Sequence, residues 1–173
     1  MVASTESVPG NVEAKVLADV ITFNAAISSC EKCGQWQQAL SLFTAMERTT
    51  AQPDVISYSA AISSCEKGQQ WDQALNLLDV MPKVKVMPNT ISFNAAISSC
   101  EKGKQWQQAL CVFGSMANAQ VQPTVVSFDA AISACAKAGQ WQQALALFQS
   151  LHTEEIHPDI ISFNSAISSC EKG

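Results

Sequence analysis

Histidine and positive charge are both scarce in this sequence of 173 residues. The two histidines, His152 and His157, lie in one short stretch, which leaves little material for a histidine-based catalytic or metal centre. Ten Lys and Arg residues stand against fifteen Asp and Glu residues, and the net charge of −5 excludes a broad, polybasic grip on nucleic acid. Any binding of nucleic acid must therefore depend on individually placed residues.

Long apolar runs are also absent. No uncharged apolar stretch approaches the ~20 residues that cross a bilayer, and the N-terminal stretch lacks the basic start and apolar core of a secretory signal. Because nothing indicates secretion and the seven cysteines are an odd number, we expect reduced thiols rather than a disulfide framework. The composition predicts a soluble protein that does not enter a membrane.

A period of 35 residues dominates the sequence. Cysteine, tryptophan and proline recur at this spacing, at Cys30, Cys65, Cys100, Cys135, Cys170, Trp36, Trp71, Trp106, Trp141, Pro53, Pro88, Pro123 and Pro158. Counting from Val20 gives four repeats, at residues 20–54, 55–89, 90–124 and 125–159. An N-terminal lead, residues 1–19, precedes them, and a half repeat, residues 160–173, follows. The lead is predicted to be disordered or to be a degenerate repeat.

Each repeat carries two amphipathic patterns. In the first repeat, Phe23, Ile27 and Cys30 share one face of a predicted helix, and a second apolar stripe begins at Trp36. The turn between the two helices is expected at Gly34, Gly68, Gly103 and Gly139. Because one small hairpin cannot bury both stripes, successive hairpins are predicted to stack into an all-α solenoid.

Three local departures from this pattern carry expectations of their own. Pro82 should end the second helix of the second repeat early, and Gly114 should weaken the second helix of the third repeat by about 1 kcal/mol. The half repeat at 160–173 offers one amphipathic helix without its partner helix, which suggests a fragment of a longer repeat array.

The repeats resemble those of the pentatricopeptide repeat (PPR) family, in its P-type form of 35 residues. The segments DVITFNAAISSCEKCGQWQQALSLFTAM (19–46) and DIISFNSAISSC (159–170) carry the resemblance, which extends over about 19–173. The tetratricopeptide repeat differs in its 34-residue period and its Trp-x-x-Leu-Gly opening. The resemblance implies a right-handed superhelix of helix-turn-helix hairpins that binds single-stranded RNA, one base per repeat, in a chloroplast or mitochondrion. No transit peptide is visible in the sequence.

The resemblance assigns base reading to the fifth and last residues of each repeat. These residues are Asn24 with Asp54, Ser59 with Asn89, Asn94 with Thr124, Asp129 with Asp159, and Asn164. They vary between nearly identical repeats, and amides and hydroxyls both donate and accept toward a base edge. The last residue could instead be only a helix N-cap, which would not explain a polar fifth residue. The fifth residue is expected to lie outside the packed core.

Two further positions complete the predicted interface. The second residue of each repeat is aliphatic, at Ile21, Ile56, Ile91, Val126 and Ile161, and the thirteenth is Lys32, Lys67, Lys102, Lys137 and Lys172. By resemblance, the aliphatic side chains wedge between bases and the lysines face the phosphates. The alternatives are contact with the preceding repeat for the aliphatic residues and compensation of the helix dipole for the lysines.

No enzyme is predicted. The sequence has no Gly-rich phosphate loop, nucleophile elbow or paired-acid motif, so we expect no cofactor. The Cys30–Cys33 pair and the His152–His157 stretch lack the further ligands of a zinc site. The predicted function is an RNA-binding adaptor that protects or remodels an organellar transcript. A peptide-binding scaffold is the alternative, and the acidic net charge slightly favours it.

Overall fold

The computed structural model describes residues 19–171, and within them the chain forms nine α-helices joined by short turns. The helices are α1 (Val20–Lys32), α2 (Trp36–Glu47), α3 (Val55–Lys67), α4 (Trp71–Lys83), α5 (Thr90–Lys102), α6 (Trp106–Asn118), α7 (Val125–Lys137), α8 (Trp141–Thr153) and α9 (Ile160–Glu171). This confirms the all-α prediction. The predicted N-terminal lead, apart from Asp19, lies outside the described residues.

The helices form two layers. The first helices of the repeats, α1, α3, α5, α7 and α9, pack side by side in chain order. Each second helix packs against the first helix of its own repeat and against the first helix of the next, but no two second helices of the described chain pack directly together. The row of first helices is therefore the tighter, inner layer of a solenoid, and grooves separate the helices of the outer layer.

The core runs through the interface between these layers. Ile27, Ile62, Ile97 and Ile132 occupy the eighth position of successive repeats and are fully buried. Aromatic rings join one repeat to the next by edge-to-face contacts, with centroids 4.8 Å apart for Phe43 with Tyr58, 4.8 Å for Phe113 with Phe128, and 5.1 Å for Phe148 with Phe163. The hairpins thus share a core of two adjoining apolar clusters. The second cluster lies around Phe128 and Ile132 and meets the first through partly buried residues such as Leu110 and Phe113.

The recurring cysteines belong to this core in the second, third and fourth repeats. Burial raises the pKa of the Cys65 thiol to about 12 and the pKa values of Cys100 and Cys135 to about 11. These thiols are consequently neutral and poor nucleophiles or metal ligands. Cys30 is only half-buried, and Cys170 is exposed on a face of α9 that no other described element covers.

The prediction that glycine provides the flexible turn is wrong in two repeats. The residue with a left-handed backbone in this turn is a glycine in the first and fourth repeats, at Gly34 and Gly139. In the second and third repeats it is Gln69 and Lys104. Gly68 and Gly103 each lie one residue earlier, with φ of −82° and −76°. A Cβ on Gly103 would lie 2.5 Å from Cδ1 of Trp71, and a Cβ on Gly68 would collide with Trp36 in the same way. Glycine is needed there because an indole of the preceding repeat packs onto the backbone.

The expected early end at Pro82 is also wrong. Helix α4 continues through Pro82 to Lys83 and is as long as α6 and α8, 13 residues. Proline in the last turn removes only its own backbone hydrogen bond, and Pro82 is exposed. Gly114 lies inside α6, where a Cβ would meet no atom outside its own helix within 4 Å.

The four recurring tryptophans are not fully buried between the repeats. Trp36, Trp71 and Trp106 are half-buried, and Trp141 is 40% exposed. Trp71→Ala should therefore destabilise the protein by less than the ~3–5 kcal/mol of a fully buried tryptophan. A fall in melting temperature should still be measurable, and a melting curve identical to the parent would contradict a packing role.

The contact between Gly103 and Trp71 gives a sharper prediction. Gly103→Ala should destabilise the fold by ~1–3 kcal/mol, because the added methyl group overpacks against the indole. The matched change Gly114→Ala should stabilise it by ~0.5–1 kcal/mol, since it only improves helix propensity in open space. Thermal and urea unfolding followed by circular dichroism measure both changes. In a Trp71→Ala background the cost of Gly103→Ala should largely disappear, and an undiminished cost would show that the indole is not its cause.

Candidate nucleic-acid interface

Three polar side chains meet wherever one repeat joins the next, and we call each such cluster a seam. A seam contains the fifth and last residues of one repeat and the third residue of the next. At the first seam, Ser57 Oγ lies 2.6 Å from Asn24 Oδ1 and 2.9 Å from Asp54 Oδ1, and Asn24 Nδ2 donates to Asp54 Oδ1 at 3.2 Å. The serine hydroxyl has one proton, so it donates to only one of the two oxygens at a time.

The same arrangement recurs at the next three seams. Ser59 Oγ lies 2.8 Å from Ser92 Oγ, Ser127 Oγ donates to Asn94 Oδ1 at 2.6 Å, and Ser162 Oγ donates to Asp129 Oδ1. The serines in turn contact the last residues Asn89, Thr124 and Asp159. The structure thus brings together all four predicted pairs of fifth and last residues. Asn164 lies exposed on α9, without a following repeat in the described chain.

The expectation that the fifth residue lies outside the packed region is wrong for three repeats. Asn24, Ser59 and Asp129 are at least nine-tenths buried, whereas Asn94 is half-buried. They are buried because the first helix of the next repeat packs across them and supplies the serine that bonds to them. Burial of a polar group is tolerable when it is hydrogen-bonded in this way.

The third-position serines belong to the candidate site, and the sequence analysis did not predict them. Ser57, Ser92, Ser127 and Ser162 are fully buried. Each also bonds to the backbone N–H of the preceding cap residue and so completes a capping box at the start of its helix. The available signal was a Ser or Thr at the third position of every repeat, one residue before the core aromatic residue.

The last residue of each repeat is also a helix N-cap, which was the alternative to base reading. Asp54 Oδ1 accepts the N–H groups of Ile56 and Ser57, and Asn89 Oδ1 accepts the N–H of Ser92. Capping uses one atom only. Asp54 Oδ2 and Asn89 Nδ2 have no hydrogen-bond partner among residues 19–171, so the cap leaves them available for a ligand.

The seams also set the charge of their carboxyl groups. Burial alone would raise the pKa of Asp54, but hydrogen bonds from Ser57 and Asn24 outweigh it and lower the pKa. Hydrogen bonds from Ser162 and Ile161 lower the pKa of Asp159. Both caps are therefore anionic at neutral pH.

The second-position residues form an exposed aliphatic row along the inner layer. These residues are 55–77% exposed, and in chain order they are Ile21, Ile56, Ile91, Val126 and Ile161. Two grooves open between consecutive members of this row. One has a volume of about 290 Å³ and lies between Ile56 and Ile91, with Ser59 and Asn89 in its wall.

The second groove lies two repeats further along, with a volume of about 260 Å³. Val126 and Ile161 flank it, and Asp129 and Asp159 line it. The two grooves therefore use the same positions of different repeats. Each combines two aliphatic side chains with one polar pair, which suits a flat, partly apolar group with a polar edge.

The thirteenth-position lysines are engaged by glutamates of the preceding repeat, which the sequence reasoning did not predict. The Nζ to Oε1 distances are 3.1 Å for Lys67 with Glu31, 2.7 Å for Lys102 with Glu66, and 2.7 Å for Lys137 with Glu101. Each of these lysines is also the last residue of its helix, where a cation favours the helix dipole. Lys32 ends α1 and is exposed. Lys172 lies outside the described residues.

Neither metal binding nor membrane insertion gains support from the described part of the chain. Residues 19–171 contain no group of three or more His, Cys, Asp or Glu side chains placed to hold a metal ion. Their helices are too short and too polar to span a bilayer.

Comparison with known proteins places these features in a family. A sequence model of the PPR repeat family matches four overlapping segments, residues 18–67, 53–102, 88–137 and 123–172. The search of curated proteins gave no match.

Solved structures with the same fold share little sequence with this chain. The pentatricopeptide repeat protein PPR10 in complex with an 18-nt psaJ RNA element has a TM-score of 0.82 and 21% identity to this chain. The match covers 91% of this chain but only 23% of that one. Another similar structure is PPR10 from maize. The PPR domain of Arabidopsis thaliana protein-only RNase P 1 in complex with tRNA has a TM-score of 0.77 and 16% identity, over 89% of this chain and 81% of that one.

Nuclear RNase P 2 of A. thaliana has a TM-score of 0.74 and 12% identity, over 87% of this chain and 34% of that one. At these identities the likeness concerns the fold. The family model, by contrast, matches nearly the whole length of the sequence in register with the repeats, and the chain belongs to the pentatricopeptide repeat family.

Proposed function

We propose that this chain binds single-stranded RNA along its inner layer and contacts one base at each seam. The observation that carries the proposal is the repetition of the same groove in two repeats, with aliphatic side chains on both sides of a polar pair. Aliphatic walls suit the faces of an unstacked base, and the polar pair suits its Watson–Crick edge. Because the seams recur once per repeat, successive nucleotides would meet successive seams.

The family and its solved members support an RNA ligand. Two of the similar structures hold RNA, an 18-nt psaJ element with PPR10 and a tRNA with the PPR domain of RNase P 1. By analogy with the family, we propose a binding rather than a catalytic role, in the processing, stabilisation or translation of a chloroplast or mitochondrial transcript.

A basic peptide is the second candidate ligand, and one observation favours it. Glu31 and Glu101 line the two grooves, so each groove carries a carboxylate beside its polar pair. A gel-shift assay with short single-stranded RNAs at low salt, next to a pull-down with Lys- and Arg-rich peptides, separates the two candidates.

The base-reading assignment is tested by exchanging one polar pair. By the family's recognition pattern, Asn24 with Asp54 should select uridine, Ser59 with Asn89 adenine, and Asn94 with Thr124 a pyrimidine. Ser59→Asn together with Asn89→Asp should therefore change the second preferred base from adenine to uridine, with a discrimination on the order of 1–3 kcal/mol. Fluorescence anisotropy on four RNAs that differ only at this base measures the change. The third base serves as the internal control, and an unchanged second preference would refute the assignment.

The lysine–glutamate pairs give a prediction about phosphate contact. Changing Lys67, Lys102 and Lys137 to Ala should weaken binding to all RNA sequences alike and reduce the salt dependence of log K by up to ~0.7 per lysine. Changing Glu31, Glu66 and Glu101 to Gln should strengthen binding and steepen that dependence, because the lysines lose their competing partners.

Lys83→Ala is the matched control, since Lys83 is exposed at the end of an outer-layer helix. It should change the affinity less than any lysine of the inner layer. If the triple lysine variant kept the affinity and the salt dependence of the parent, the lysines would serve only the helix ends.

A further inference from the structure

The fourth seam differs from the other three because both members of its polar pair are carboxylates. Asp129 lies on α7, and Asp159 caps α9. Ser162 connects them, since its Oγ donates to Asp129 Oδ1 and lies 3.3 Å from Asp159 Oδ1. Asp159 Oδ1 also accepts the N–H groups of Ile161 and Ser162.

One oxygen of each carboxylate remains without a donor. Asp129 is only 9% exposed, yet its Oδ2 has no hydrogen-bond partner among residues 19–171. The same holds for Oδ2 of Asp159. Asp159 is exposed, and neither Oδ2 atom is paired within the described part of the chain. Both oxygens can therefore exchange water for an N–H group of a ligand.

The surroundings of the pair determine the shape of that ligand. Both carboxylates line the 260 Å³ groove between Val126 and Ile161. Glu101 also lines this groove, but its Oε1 already accepts Ser133 Oγ and Lys137 Nζ. Glu101 Oε2 has no partner among residues 19–171 either, so the groove contains three carboxylates, of which Asp129 and Asp159 form the polar pair of the seam.

The other seams offer at least one donor. Asn24 Nδ2, the hydroxyl groups of Ser59 and Thr124, and the amide nitrogens of Asn89 and Asn94 all belong to fifth or last residues. Burial raises the pKa of Asp129, the hydrogen bond from Ser162 opposes this, and the neighbouring Asp159 carboxylate raises the pKa further. When both carboxyl groups are ionised, the pair provides only acceptors. The fourth seam consequently calls for a base edge with adjacent donors.

We propose that the fourth seam selects guanine, an inference that rests on the proposed RNA-binding function. The Watson–Crick edge of guanine presents two neighbouring donors, the N1–H and the N2 amino group. Adenine, cytosine and uracil each present a single donor group on that edge, next to an acceptor that would face a carboxylate oxygen. With RNA and protein running in parallel, as the resemblance to the family implies, the preferred core of the RNA is then 5′-U-A-pyrimidine-G-3′.

The experiment uses the full chain and four short single-stranded RNAs with the core 5′-U-A-C-N-3′, in which only N varies. Fluorescence anisotropy at neutral pH and low salt should show guanine bound about 5- to 150-fold more tightly than the other three bases, the range expected for a good bidentate contact. Asp129→Asn should change the preference at N to uridine, because the seam then has the same side chains as the first seam. Asp79→Asn, on an exposed position of α4, is the matched control and should leave the guanine preference intact.

The outcomes separate this inference from the function on which it rests. The RNAs described above that vary the second base are measured alongside. If they show a preference for adenine but the RNAs that vary N show none for guanine, the guanine assignment is overturned and base reading stands. If no base is preferred at any position, both the base-reading function and the guanine assignment fail. Circular dichroism of each variant confirms that the solenoid is folded, and the Asp→Asn changes preserve side-chain size.

Discussion

A hairpin of two short helices cannot cover its own apolar faces, and the rest of this structure follows from that constraint. Each first helix must lie against the first helix of the next repeat, and each second helix must fill the angle between them. Ile62 and Cys65 are fully buried only because both layers close over them. The contact between first helices then decides which polar side chains meet at the inner surface.

The seams show how this packing tolerates buried polarity. The side chain of Asn24 would be costly to bury alone, but Ser57 and Asp54 satisfy it across the junction. The same serine completes the capping box of its own helix. Helix initiation and the contact between repeats thus depend on one hydroxyl group, which fixes the fifth and last residues in a constant relation while their identities vary.

The sequence predicted the helices and core positions of each repeat but missed the individual side-chain contacts between neighbouring repeats. The 35-residue period and the spacing of Phe23, Ile27 and Cys30 predicted the hairpins and the core, because helical periodicity is a local property. The purpose of Gly103 was not predictable in this way, since it depends on an indole of the preceding repeat. The burial of Asn24 and the pairing of Lys102 with Glu66 escaped for the same reason. Of the candidate site, the sequence and its family resemblance supplied the residue pairs but not the serine that connects them.

The unequal packing of the two layers has a mechanical consequence. First helices touch along the whole inner row, whereas a groove lined by Leu40 and Leu77 separates α2 from α4 in the outer layer. Widening or narrowing such grooves alters the curvature of the solenoid with little change in the distance between neighbouring first helices. The pitch of the array can therefore change while the spacing of the seams along its inner layer stays nearly constant.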